Sequence, residues 1–474
     1  MLKKIEVFLL YIIIFTIPFN IRHIFNFVEV QVISGFKEHL TIFLSLFDIL
    51  FIILLTLAIW NNRKKILKRK LLKELIKQPL IYFIILTSIT TFYNQQGSAF
   101  IKYYKLIKFS EIIIFFVIIR SLLKHYTVLT YSKFIIFTAG VLQAIIAIIQ
   151  FITQKSIGLI LLGESILGPN IFGVAKFNFE GEKFIRAYGT FPHPNILGIF
   201  LLFSLGTGLS LVISKKKLLY NFRLPYKSIF FTEFIILYIG ILLTYSRSAI
   251  ILTVAMSLVF AYTQRNFINK IYKNFCKQLH IPFFLQTTFA IIIIFTTLFA
   301  SYNILAPRLC VYCPNDKSLS FRKIYLQGAE MIILKHPIIG SGLNNFIPTF
   351  QVLSLDDLNN LKSWQLQPVH NLYLLIASET GLIGLCLFLI ILIFYTLRTL
   401  KIQVLLNYPL DLLFILILLA GFFDHYFWTL HQGQIIFWTV LALVSLPKTE
   451  KIDSPKYHFK TVLKNVRQLL KELS

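Results

Sequence analysis

The stretch LTIFLSLFDILFIILLTLAIW, Leu40–Trp60, followed directly by NNRKKILKRK, residues 61–70, decides the fold class. The first part carries one charged residue, Asp48, in a run long enough to cross a hydrocarbon layer of about 30 Å as a helix. The second part gathers Arg63, Lys64, Lys65, Lys68, Arg69 and Lys70. Basic residues of membrane proteins concentrate in cytoplasmic segments, so this end of the run is expected inside. In lipid every backbone polar group must find an internal partner, which leaves helices or closed barrels. An unbroken apolar run, rather than alternation, selects the helix.

The pattern repeats along the chain. Apolar runs predict helices over 5–19, 40–60, 79–93, 106–123, 134–152, 194–213, 228–245, 248–263, 283–301, 370–397, 409–423 and 431–446. The 474 residues are 57% hydrophobic with a mean hydropathy of +0.75, against about 45–50% apolar residues in soluble domains. The runs are too many to be the core helices of a soluble protein. The reading is an all-α polytopic membrane protein of about twelve transmembrane helices, forming a single integral membrane domain over 1–474. The first apolar stretch, Ile5–Phe19, has no small-residue cleavage site and reads as the first span.

With the amino terminus in the cytoplasm, 31 of the 47 Lys and Arg residues fall in cytoplasmic segments. Both termini then lie inside, with a basic cytoplasmic tail over 447–474. External loops follow at 153–193 and 302–369. The formal charge of +27 would suggest nucleic acid in a soluble chain; here it reads as topology anchoring, and no nucleic-acid partner is expected. Cys276 and Cys386 stand alone. Cys310 and Cys313 form a CxxC without a second pair, which disfavours zinc; a local disulfide and two free thiols both remain open. The second external loop is predicted to carry an interfacial helix over Phe321–Leu334, capped by Ser320 and stopped by His336-Pro337 and Gly340-Ser341-Gly342. A long loop with its own structure is usually functional.

Ionisable residues near the outer boundary recur in a few places. Arg186 precedes Gly189-Thr190-Phe191-Pro192-His193-Pro194-Asn195. Prolines on both sides of His193 exclude regular helix there. The loop reads either as a rigid entry to a helix capped by Asn195 or as one that presents His193 to a ligand. Arg247, in Thr244-Tyr245-Ser246-Arg247-Ser248, joins two apolar stretches with almost no loop. A guanidinium at membrane depth costs about 2.5–3.5 kcal/mol on insertion scales, so it either snorkels to headgroups or meets a partner in a buried site. Arg322 stands near the start of the external helix, where the helix dipole does not favour a cation; it either meets an anionic partner or is a solvated surface arginine. His370-Asn371 opens a helix from the outer side. A neutral histidine there is a general base or an interfacial cap. Asp424-His425 forms the last external turn. Asp48, Glu111 and Glu233 lie inside apolar spans and suit interhelical contacts. Tyr188, Trp364 and Trp428 read as interfacial anchors or as platforms for sugars.

Taken in order, these segments resemble the O-antigen ligase/polymerase family. The residues that carry the resemblance are Gly189–Asn195, Leu243–Ser248, Phe321-Arg322 with His336–Gly342, Val369-His370-Asn371 through Gly384, and Asp424–Trp428 with Gln432-Gly433. The resemblance spans about residues 185–435. It implies a bacterial cytoplasmic (inner) membrane enzyme that takes a glycan from undecaprenyl pyrophosphate on the outer face and transfers it, with inversion, to a hydroxyl of a glycan, lipid or protein acceptor. Carried over by position, Arg247 and Arg322 would hold the pyrophosphate and His370 would activate the acceptor. Arg186, His193, Asn195, Asn371, Asp424 and His425 would support them. It implies no cofactor and no metal, and membrane lipids around the polyprenyl tail. Two guanidiniums can neutralise the charge that a nucleotide-sugar enzyme gives to a divalent cation. A polymerase that joins repeat units is the alternative within the family. A transporter of lipid-linked glycans would need charges near mid-membrane and repeated halves; here the notable charges sit at one face and no repeat appears.

Overall fold

The computed structural model describes residues 2–25, 41–66, 78–93, 98–179, 181–214, 224–265, 317–353, 366–397 and 408–446. The helices are α1 (Leu2–Thr16), α2 (Leu46–Ile66), α3 (Pro79–Tyr93), α4 (Ala99–Leu122), α5 (Tyr126–Thr153), α6 (Pro194–Ser214), α7 (Leu224–Leu243), α8 (Arg247–Thr263), α9 (Lys317–Lys335), α10 (Phe346–Leu353), α11 (Leu372–Thr396), α12 (Pro409–Ala420), α13 (Tyr426–Thr429) and α14 (His431–Val444). Leu46–Arg63, Tyr126–Thr153, Pro194–Ser214 and Leu372–Thr396 are each long and apolar enough to cross a membrane. Pro79–Tyr93, Phe231–Leu243, Arg247–Thr263, Pro409–Ala420 and His431–Val444 are shorter apolar helices. The expected 283–301 helix, Cys310-Cys313, Trp364 and the 447–474 tail lie outside the described residues.

Helix α6 is buried along almost its whole length and packs against α5, α7, α8, α12 and α14. Its glycines admit close neighbours: an added Cβ at Gly198 would lie 2.7 Å from Ala249, one at Gly206 3.0 Å from Leu413 and one at Gly208 2.5 Å from Phe137.

The expectation of helix alone is corrected by two short antiparallel hairpins. Arg22–Phe25 (β1) pairs with Ile42–Ser45 (β2), and Lys176–Phe179 (β3) with Glu182–Ile185 (β4). The helix expected from residue 40 therefore begins at Leu46. The backbone N–H of Ser45 donates to Asp48 Oδ2 at 2.6 Å, and that of Asp48 to Ser45 Oγ at 3.4 Å. This reciprocal arrangement is a capping box, which stops the strand and starts the helix.

A helix spans Lys317–Lys335 where one is predicted, but Ser320 lies inside it: the backbone is already helical from Lys317. Serine caps are a preference of about 1 kcal/mol, and the residues upstream continue the helix. Arg322 therefore sits in its second turn.

The helix expected over 370–397 is broken at Gly381 (φ 70°, ψ 179°). The loop after α9 fills the break. Ser341 N–H donates to Ser378 O, Gly342 N–H to Glu379 O, and Leu382 N–H to Pro337 O, each at 2.8 Å. Glu379 fastens the same loop, accepting from Asn344 N–H at 2.9 Å and from the Trp428 indole at 2.7 Å. A discontinuity inside an apolar helix survives because protein groups satisfy the freed backbone. A Cβ on Gly381 would lie 2.0 Å from Ile338 O, and its φ is in the left-handed region. Gly381→Ala is accordingly expected to cost on the order of 2–5 kcal/mol, read as loss of monodisperse protein after detergent extraction. Wild-type yield and melting behaviour would count against this account of the break.

Candidate active site

The hydrogen bonds that cross between elements bring one end of the bundle together. Thr190 Oγ1 donates to Pro18 O at 2.6 Å, Gln432 Nε2 to Pro18 O at 2.9 Å, Ala187 N–H to Leu243 O at 3.0 Å, and Leu372 N–H to Gly421 O at 2.7 Å. Segments 185–195, 243–247, 370–372 and 421–432 thus share one end.

Glutamines on α5 hold the loop that enters α6. Gln150 Oε1 accepts from the backbone N–H groups of Tyr188 (3.1 Å) and Gly189 (2.8 Å). Its Nε2 donates to Gly189 O at 2.9 Å and to Glu164 Oε1 at 2.8 Å. Gln143 Oε1 accepts from Thr190 N–H at 2.9 Å. Buried amides that offer both a donor and an acceptor pair a loop backbone that would otherwise be unsatisfied. This is why polar residues occur within an apolar span.

From this loop a chain of polar contacts runs across the bundle. Arg186, buried, donates from Nε to Thr244 O at 2.7 Å and from Nη2 to Asn195 Oδ1. Asn195 Nδ2 donates to Asp424 Oδ2 at 3.1 Å and to the Tyr426 hydroxyl at 2.9 Å. Tyr426 hydrogen-bonds Asp424 in turn. Asp424 Oδ1 accepts from His425 N–H at 3.1 Å, and His425 Nδ1 lies 2.7 Å from Thr429 Oγ1. The His425 ring meets the His370 ring edge to face at 4.9 Å, and Tyr325 of α9 stacks on His370 at 5.7 Å and 10°.

Some expected roles change. Helix α6 begins at Pro194, so Asn195 is not its cap; the backbone N–H of Asn195 donates instead to His193 Nδ1 at 3.2 Å. This frees the Asn195 amide to bridge Arg186 and Asp424. His193 also lies 3.5 Å from the Tyr426 hydroxyl. Asn371 caps α11: its Oδ1 accepts from Tyr373 N–H and Leu374 N–H, both at 3.0 Å. His370 is thereby set just outside the helix and is not the cap. Tyr188 and Trp428 are buried, with the Tyr188 hydroxyl accepting from Ala175 N–H at 2.6 Å; neither is an interfacial anchor or an open platform. Asp48 makes the interhelical contact expected of it, with Lys108 of α4; Glu111 pairs with Lys108 within α4 and meets Asp48 of α2 across helices.

Tyr325 and Thr429 carry no role expected from sequence. Tyr325 had a signal, since it lies three residues after Arg322 and so on the same helical face. Arg247 is partly buried at the first turn of α8, three residues beyond the Thr244 carbonyl that Arg186 grips.

The electrostatics suit a base. Burial pushes the His370 imidazole below the ordinary value of 6.5; the Arg322 charge lowers it further, while Asp424 and a Pro368 backbone hydrogen bond pull the other way. Burial raises the Asp424 carboxyl, and the charges of His370 and Arg322 with hydrogen bonds from Tyr426 and Asn195 hold it back. His370 Nδ1 is buried with no hydrogen-bond partner among the described residues. The side chains of His370, Asp424 and His425 have ligand atoms within 4.8 Å of one another, a set that could hold a metal ion. Two of its members carry other contacts: both Asp424 oxygens and His425 Nδ1 already meet polar partners.

Residues 233–389 match the family model Wzy_C, described as O-antigen ligase. The match contains Arg247, Arg322 and His370. It begins after Arg186, His193 and Asn195 and ends before Asp424 and His425, which the fold brings onto it. No curated protein matches the chain.

Proposed function

We propose that this chain, whose residues 233–389 carry the O-antigen ligase match, is a membrane glycan ligase using an undecaprenyl-pyrophosphate-linked donor. The observation that carries the reading is the polar chain from Arg186 through Asn195 to Asp424 and His425, against which His370 rests. It joins segments on both sides of the matched domain to the residue proposed as base. The match supports a membrane glycan transferase of ligase or polymerase type.

In the proposed reaction His370 accepts the proton of the acceptor hydroxyl. The hydroxyl oxygen attacks the anomeric carbon from the face opposite the carrier, which inverts that centre. The bond from that carbon to the pyrophosphate oxygen breaks, and its electron pair leaves with undecaprenyl pyrophosphate. Arg247 and Arg322 stabilise the charge that grows there. By the distribution of basic residues the site faces outward from the cytoplasmic membrane. No metal takes part in this scheme.

The test is purified full-length protein with a lipid-pyrophosphate-linked glycan and candidate acceptors, with and without a chelator. Transfer that survives chelation and adds one finished chain is the expected result. Loss of transfer on chelation, restored by a divalent cation, would transfer the role of His370, Asp424 and His425 to metal binding. A ladder of products would favour the polymerase.

A further inference from the structure

We infer that Phe177 and Tyr245 are positioning residues for Arg247, the external β3–β4 hairpin holding the turn from which this guanidinium acts. The inference rests on the proposed pyrophosphate-binding role of Arg247.

Tyr245, two residues before Arg247, is buried with φ at 48°. This left-handed backbone is unfavourable for a bulky side chain and persists only where surroundings impose it. What imposes it is a set of stacked rings. Phe177 of β3 lies on Tyr245 at 3.9 Å and 20°, Phe151 of α5 meets Tyr245 at 5.9 Å and 22°, and Phe184 of β4 stacks on Phe177 at 5.7 Å. The backbone is gripped alongside: Ala187 N–H donates to Leu243 O, and Arg186 Nε to Thr244 O. On the inner side α6 closes in, since a Cβ at Gly198 would lie 2.7 Å from Ala249 Cβ and 3.2 Å from Thr244 Oγ1. The turn leading into α8 is therefore clamped between the hairpin and the central helix. A segment between two apolar helices would otherwise have little to fix it. An arginine meant for a pyrophosphate gains from such preorganisation, because with its root fixed only side-chain freedom is left to lose on binding.

The experiment measures binding of undecaprenyl pyrophosphate, with undecaprenol as control, to purified full-length protein. Phe177→Ala is expected to weaken pyrophosphate binding about tenfold and leave undecaprenol binding unchanged, while Phe177→Tyr stays within about twofold of wild type. In an Arg247→Ala background Phe177→Ala should add nothing further. If Phe177→Ala fails to reach the membrane, Phe177→Leu, which keeps bulk but loses the ring face, carries the same test. Unchanged binding in Phe177→Ala overturns the inference, and so does an equal loss in both backgrounds, which would mean that the hairpin acts through Arg186 or the fold at large. Wild-type binding by Arg247→Ala alone would instead remove the role of Arg247 on which the inference stands.

Discussion

His370→Ala is expected to lower glycan transfer about 10²–10⁴-fold while the protein stays at its normal level in the membrane, the usual contribution of a positioned general base. The fold should tolerate it. The cap of α11 is the Asn371 side chain, not His370, and the residue is only partly buried. Truncation removes one ring from between Tyr325 and His425.

The pH dependence separates the chemical role from a structural one. A base must be neutral to accept a proton. Because burial and Arg322 lower the His370 pKa, the acid limb of the rate should fall below pH 6.5. Asp424 raises that pKa and Arg322 lowers it. Asp424→Asn should therefore move the acid limb to lower pH, and Arg322→Gln, in whatever activity remains, to higher pH. A limb that stays in place in both variants would show that His370 is not the titrating group. Normal transfer by His370→Ala would end the proposal for its role.

The second large effect is expected at the arginines. Arg247→Ala and Arg322→Ala should each lower transfer about 10²–10³-fold, the range for removing one preorganised donor to a developing anion. Lysine at either position should recover only part of it, since a point charge does not reproduce the planar fork that pairs with phosphate oxygens. Undecaprenyl pyrophosphate binding, measured in parallel, should weaken in both alanine variants. Arg322→Ala carries a further signature, because its charge also bears on His370 and Asp424: its pH profile should change as well as its rate. Wild-type donor binding in both variants, at normal membrane levels, would assign these arginines to lipid headgroups or to the fold.

The residues of the site were legible as separate signals. A histidine between two prolines, an arginine between two apolar stretches and a histidine at the mouth of an apolar run each break a local rule, and the break shows without a structure. Their joining was not legible. Asn195 occupies a position where sequence suggests a helix cap, yet the helix starts one residue earlier and the amide spans from Arg186 to Asp424. Tyr325 and Thr429 look like ordinary helical residues until His370 and His425 come to rest against them. The break at Gly381 was equally hidden, since an apolar run reads the same whether or not a loop fills a gap in its backbone.

Residue order alone is enough to read a helical membrane protein, the course of most of its helices and the polar residues that stand against the apolar background. It could do so because lipid imposes a one-dimensional rule: a backbone that crosses it must pair with itself over a set length. Which of those polar residues meet, which are caps and which are bridges emerges from the packed fold. That depends on how buried groups more than 200 residues apart, such as Asn195 and Asp424, satisfy one another's hydrogen bonds, and no local pattern encodes the pairing.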